Sequence, residues 1–67
     1  MRLHHTLTED RILDMHERSE LTLDNLGACI ACGAEAHGVE PDARRYRCEA
    51  CGLLEVYGSL ELLMEVA

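Results

Sequence analysis

The sequence predicts a small α+β domain: a short antiparallel β-sheet carrying two metal-binding turns, with an N-terminal helix before it and a short C-terminal amphipathic helix after it. Three observations predict this. All four cysteines fall in two Cys-x-x-Cys-Gly repeats, Cys29-Ile30-Ala31-Cys32-Gly33 and Cys48-Glu49-Ala50-Cys51-Gly52. Glycines and Pro41 punctuate the chain around those repeats, as turns and short strands require. The flanks, by contrast, carry helical signals.

Sixty-seven residues make one small domain at most. A chain of this size buries a modest share of its surface and usually needs a staple. Phe and Trp are absent, and Tyr46 and Tyr57 are the only aromatic residues. The core is therefore expected from Leu, Ile, Val, Met and Ala, a mixture that fills space but specifies geometry weakly. Three parts are expected: an N-terminal helical segment at 1–20, a four-cysteine module at 21–58 and the C-terminal helix at 59–67.

The first helix is placed at Thr6–Ser19. Thr6 and Glu9 fit a Thr-x-x-Glu capping box, and Glu9 and Asp10 suit the positive end of a helix. Ile12, Met15, His16 and Ser19 share a face. That apolar stripe is thin, so the helix needs a surface to lie on. The stretch from Leu21 to Leu26 alternates apolar and polar residues and reads as an extended connector, with a strand or an Asp24-Asn25 turn as alternatives. Strands are expected over Ala43–Cys48 and Leu53–Tyr57. Glu40-Pro41-Asp42-Ala43-Arg44 reads as a rigid turn. Gly58 ends the second strand, and Ser59 is the expected N-cap of a final helix in which Leu60, Leu63 and Met64 share a face.

The cysteine spacing is Cys-x2-Cys-x15-Cys-x2-Cys. Two cysteines three apart in a tight turn can put both sulfurs on one ion, and the glycine after each pair permits the turn. Fifteen intervening residues are enough for a loop and a returning strand. Zn²⁺ takes four thiolates tetrahedrally, so Cys29, Cys32, Cys48 and Cys51 are the expected ligands of one structural zinc ion. Iron uses the same ligands. Two separate Cys-x-x-Cys disulfides would be strained, and a thioredoxin-type site needs a larger α/β fold. A closed four-cysteine site leaves no open coordination position, so no enzyme is expected. His37, inside the loop, could complete a three-cysteine set, but four cysteines already suffice. His4 and His5 read as a flexible polar N-terminus.

Thirteen acids stand against six bases, for a net charge of −7. Four thiolates around one divalent ion would make it two units more negative. That balance disfavours attraction to a phosphate backbone and favours a protein partner with a basic surface. Arg44, Arg45 and Arg47, with Tyr46 among them, form the basic cluster. Their alternative reading is a nucleic-acid contact with Tyr46 as a stacking face; the plainer one is pairing with nearby acids. No apolar run has the length of a signal peptide or a membrane span. A cytoplasmic chain with reduced thiols is therefore expected, in which metal binding is favoured over disulfides.

Taken together, "CIACGAEAHGVEPDARRYRCEACG" and the following "VYGSLELL" resemble the small zinc-ribbon proteins of bacteria and their phages, over Gly27–Leu63. The resemblance implies one zinc held by Cys29, Cys32, Cys48 and Cys51, and a short helix after the last strand. It does not choose a role, since zinc ribbons serve nucleic-acid binding, transcription and protein docking alike. The expected function is a non-enzymatic, zinc-stabilised module that docks a protein, the candidate partners being a host factor met through an acidic surface or a second copy met through the terminal helices. A nucleic-acid-binding module is the alternative.

Overall fold

The computed structural model describes residues 2–22 and 24–66. Leu23 of the expected connector and Ala67 of the expected last helix lie outside them. Helix α1 (Glu9–Thr22) is followed by strands β1 (Leu26–Cys29), β2 (Glu35–His37), β3 (Tyr46–Arg47) and β4 (Leu54–Gly58), and by helix α2 (Ser59–Val66). The strands form one antiparallel sheet in the order β2-β1-β4-β3. The small α+β class is as expected, but the elements within it shift.

Helix α1 starts later than the capping box predicts. Thr8, not Thr6, is the cap: its hydroxyl accepts the Arg11 N–H at 3.2 Å, and its carbonyl accepts Ile12 N–H at 3.0 Å. Leu7, just before the cap, joins Ile12 in the core, the arrangement of a hydrophobic staple. Thr6 is drawn away instead. Its hydroxyl meets His4 Nδ1 at 2.8 Å and accepts from the Arg11 guanidinium at 3.0 Å. The His4–Thr6 approach is thus anchored, a correction to the flexible N-terminus expected there; His4 N–H also donates to Ile30 O at 2.8 Å.

At its other end α1 runs to Thr22, three residues beyond the expected stop, and takes up part of the expected connector. Ser19 explains why the chain can then turn into β1. Its hydroxyl donates to Met15 O at 2.9 Å and accepts Leu26 N–H at 3.1 Å, all in a buried setting. One side chain thereby satisfies the first amide of the central strand.

Alternation along β1 and β4 sorts the interior into two clusters. Leu26, Ala28 and Tyr57 face the helices and meet Leu7, Ile12, Met15 and Leu62. Cys29 and Val56 face the other way and meet Val39, Ala43 and Cys48. Both helices thus pack on their own sheet. In α2 the buried residues are Ser59, Glu61 and Leu62, with Leu63 and Val66 partly covered, whereas Leu60 and Met64 are exposed. The expected Leu60/Leu63/Met64 face is therefore rotated, because the sheet lies on the Leu62 side.

The strand expected over Ala43–Cys48 shrinks to Tyr46–Arg47. Arg45 has a left-handed φ of 56°, which ends extended structure before it can begin. The preceding turn is docked instead. Pro41 O accepts the N–H groups of Leu60 and Glu61 at 3.1 and 3.2 Å, so it caps α2 from outside. Ser59, the expected cap, turns its hydroxyl to His16 Nδ1 at 3.4 Å. Close approach of the turn explains Gly58: a Cβ there would run into the backbone of Glu40 and Pro41. Arg44 Nε reaches buried Glu61 at 2.7 Å and finishes the clamp.

Substituting Ser19→Ala is expected to strand the Leu26 N–H and to destabilise the fold by about 2 kcal/mol. Chemical denaturation of wild type and variant, both metal-loaded, measures it; a change within error would mean that the bridge carries no net stability.

Candidate metal centre

Each cysteine pair sits in the same backbone device. Gly33 N–H donates to Cys29 O, and Gly52 N–H to Cys48 O, both at 2.8 Å. Cys29 N–H donates to Ala34 O at 2.9 Å, and Cys48 N–H to Leu53 O at 2.8 Å. Gly33 and Gly52 have φ of 81° and 80°, left-handed values that side-chain-bearing residues seldom adopt. The two turns are copies of each other. β1 leads into one, and the hairpin of β3 and β4 contains the other. The pairing of Cys29 with Val56 in the adjacent β1 and β4 brings them together.

The four sulfurs lie within 4.8 Å of one another. Cys29 Sγ is 3.7 Å from Cys51 Sγ, and Cys32 Sγ is 3.6 Å from Cys48 Sγ. Disulfide sulfurs are about 2.05 Å apart, so none of these is bonded. Four sulfurs at about 2.3 Å around a tetrahedral ion stand about 3.8 Å apart. The distances fit that edge, and Cys29, Cys32, Cys48 and Cys51 could hold a metal ion as a closed set. His37 is not part of the cluster.

Backbone amides set the thiols' chemistry, and burial distinguishes them. Burial pushes the Cys29 thiol up to about 12, against the pull of the Cys32 and Ala31 amides. The Cys51 amide, with Cys51 N 3.4 Å from Cys48 Sγ, leads the effects that bring Cys48 down to about 6. By exposed area the two residues are alike, both nearly inaccessible. What differs is the depth of protein behind them. The first turn lies under the N-terminal segment, where Arg11 Nη2 donates to Gly33 O at 2.8 Å. Beyond the second there is open space at Gly52, and Cys51 is exposed. A cation is what would let the buried and the exposed thiols ionise together.

The basic cluster does not assemble as one face. Arg44 is tied to Glu61, and Arg45 sits in the left-handed turn. Tyr46 donates its hydroxyl to Glu40 at 2.5 Å, which holds the Glu40 carboxyl below its ordinary range and the phenol above its own. Arg47 and Arg45 make no ion pair among the described residues. Sequence reasoning missed two further arginines on α1. Arg18 bridges Asp14 at 2.9 Å and Glu35 at 3.0 Å, with Arg11 beside it at 4.0 Å from Glu35. The Asp14–Arg18 spacing of four residues was a legible signal; the reach to β2 was not. No helix among the described residues is long and apolar enough to cross a membrane.

No protein-family model matches the chain, and neither curated proteins nor solved structures give a match.

Two outcomes are expected of the metal-loaded protein. Under limiting N-ethylmaleimide, Cys51 is alkylated first and Cys29 last, read by peptide mass spectrometry; equal labelling of all four would contradict the shielding of the first turn. On acidification the metal is retained near pH 7 and lost only below the value of about 6 to which the free Cys48 thiol is lowered, because the ion competes with protons for every sulfur. The sign follows from competition: a ligand must be deprotonated, so lower pH weakens binding. A chromogenic chelator follows the release.

Proposed function

We propose that this chain is a zinc ribbon: a non-enzymatic binding module, stabilised by one structural Zn²⁺ on Cys29, Cys32, Cys48 and Cys51, that docks a protein partner. The observation that carries the reading is the set of four sulfurs within 4.8 Å of one another, two pairs of them at the 3.7 and 3.6 Å that suit a tetrahedral edge. Sulfur-only donors favour Zn²⁺ among the common divalent ions. With every coordination position filled, the ion serves the fold rather than a reaction. Apparent zinc affinities of small sites, on the order of 10 kcal/mol, exceed what so small a core supplies alone.

Charge supports a protein partner over a nucleic acid. The net charge of −7 opposes a phosphate backbone, and Arg44, from the basic cluster, is already paired with Glu61. The resemblance to zinc-ribbon proteins of bacteria and phages suits a cytoplasmic module that meets a host factor through its acidic surface.

The test has two arms. Native mass spectrometry is expected to show one zinc per chain, and chelation to abolish the folded far-ultraviolet spectrum; a folded metal-free species would remove the structural role. Gel shifts at low salt are expected to show no retardation of DNA or RNA. Tight retardation lost on replacing Arg45 and Arg47 by Ala would transfer the function to nucleic acid.

A further inference from the structure

The two cysteine turns share a backbone but not a shelter. Cys29 is fully buried, and Arg11, Thr6 and His4 lie over its turn. Arg11 Nη2 donates to Gly33 O, and His4 N–H to Ile30 O, each at 2.8 Å. A Cβ on Gly33 would run into Thr6 Oγ1 and His4 Nδ1, whereas one on Gly52 would meet nothing within 4 Å. Cys51 is the exposed member of the four. An oxidant arriving from solvent therefore reaches that sulfur first.

The close approaches between sulfurs cross from one turn to the other. Cys51 Sγ lies 3.7 Å from Cys29 Sγ, and Cys32 Sγ 3.6 Å from Cys48 Sγ. The ladder fixes this arrangement, since Cys29 stands opposite Val56 and the second turn belongs to the β3–β4 hairpin. The sheet thus brings the most exposed sulfur against the most buried one. Closing 3.7 Å to a disulfide of about 2.05 Å requires one turn to move, and the second has open space beside Gly52.

We infer that Cys51 is the site at which a hydroperoxide oxidises this protein, and that Cys29 resolves the product as a cross-turn disulfide, with loss of the bound metal. The Cys51 thiolate attacks one oxygen of hydrogen peroxide. The O–O bond breaks, the sulfur gives up two electrons to become a sulfenic acid, and hydroxide leaves. The Cys29 thiolate then attacks the Cys51 sulfur. The S–S bond forms, the S–O bond breaks, and a second hydroxide leaves. Two thiolates and one hydrogen peroxide give one disulfide and two hydroxide ions. The disulfide keeps β1 tied to the hairpin after the ion has gone. This rests on the zinc-ribbon reading and adds an oxidant response to it.

The test treats the full chain with one equivalent of hydrogen peroxide, after native mass spectrometry has counted its zinc. Dimedone traps the sulfenic acid, and a chromogenic chelator follows the zinc. Trypsin, cutting at Arg44, Arg45 and Arg47, separates the two turns, and fragmentation assigns any link between them. Dimedone is expected on Cys51. Without it, Cys29 is expected joined to Cys51, zinc is released as peroxide is consumed, and a thiol reductant with added zinc reverses both. Cys51→His keeps a fourth ligand and is expected to slow the release about tenfold or more. Should that variant fail to fold, the wild-type adduct and linkage decide alone. First adducts on Cys29, Cys32 or Cys48 would overturn Cys51 as the site. A Cys48–Cys51 link, which leaves the turns unjoined, would overturn Cys29 as its partner. Zinc retained under excess peroxide would overturn the response altogether. A chain without zinc before peroxide is added would instead overturn the zinc-ribbon reading.

Discussion

Four sulfur atoms gathered within 4.8 Å are the constraint around which this chain is arranged. As thiolates they would repel one another, and a charge of that density, with Cys29 and Cys48 buried, is untenable without a cation at its centre. With a cation bound, the repulsion would become a clamp, tying the end of β1 to the β3–β4 hairpin of this small sheet. The amides of each Cys-x-x-Cys-Gly turn point back at the first sulfur and stabilise its negative charge, so ligand and turn are a single device repeated twice.

The repeats are alike in backbone and unlike in setting. His4, Thr6 and Arg11 cover the first turn, and their contacts decide where α1 begins. The second turn projects into solvent with Leu53 and Leu54 exposed beside it. One half of the site thus belongs to the folded body and the other to its surface. That difference in shielding separates Cys29 from Cys48 electrostatically, although the local geometry does not.

A second clamp joins the sheet to α2. The Glu40–Arg44 stretch caps the helix through Pro41 O, packs on Gly58 where no side chain intervenes, and pairs Arg44 with Glu61. Glu61 is nearly buried, so its charge needs that guanidinium. The loop between the cysteine turns is therefore a strut between the cysteine cluster and α2, which its turn-forming residues alone did not reveal. On the opposite edge, Arg18 and Arg11 fasten α1 to Glu35.

The cluster was legible from spacing because a Cys-x-x-Cys-Gly turn is a local object: its ligand geometry is set within five residues. The α+β class was legible for a similar reason, since periodicity and glycine placement are short-range signals. Cap choice was not. The capping-box rule favours Thr6, with Glu9 three residues on, over Thr8, followed by Arg11; the contacts of Thr6 with His4 and Arg11 beside the first cysteine turn reverse that choice. Nor could the sequence show which face of α2 is buried, because Leu60, Leu62, Leu63 and Met64 offer more apolar surface than one sheet can cover. The late start of the strand after Arg45, the buried bridge of Ser19 and the cross-turn approach of Cys29 to Cys51 belong to the tertiary structure for one physical reason. Each depends on a partner distant in the chain or on a ladder's register, and neither is encoded in any window of neighbouring residues.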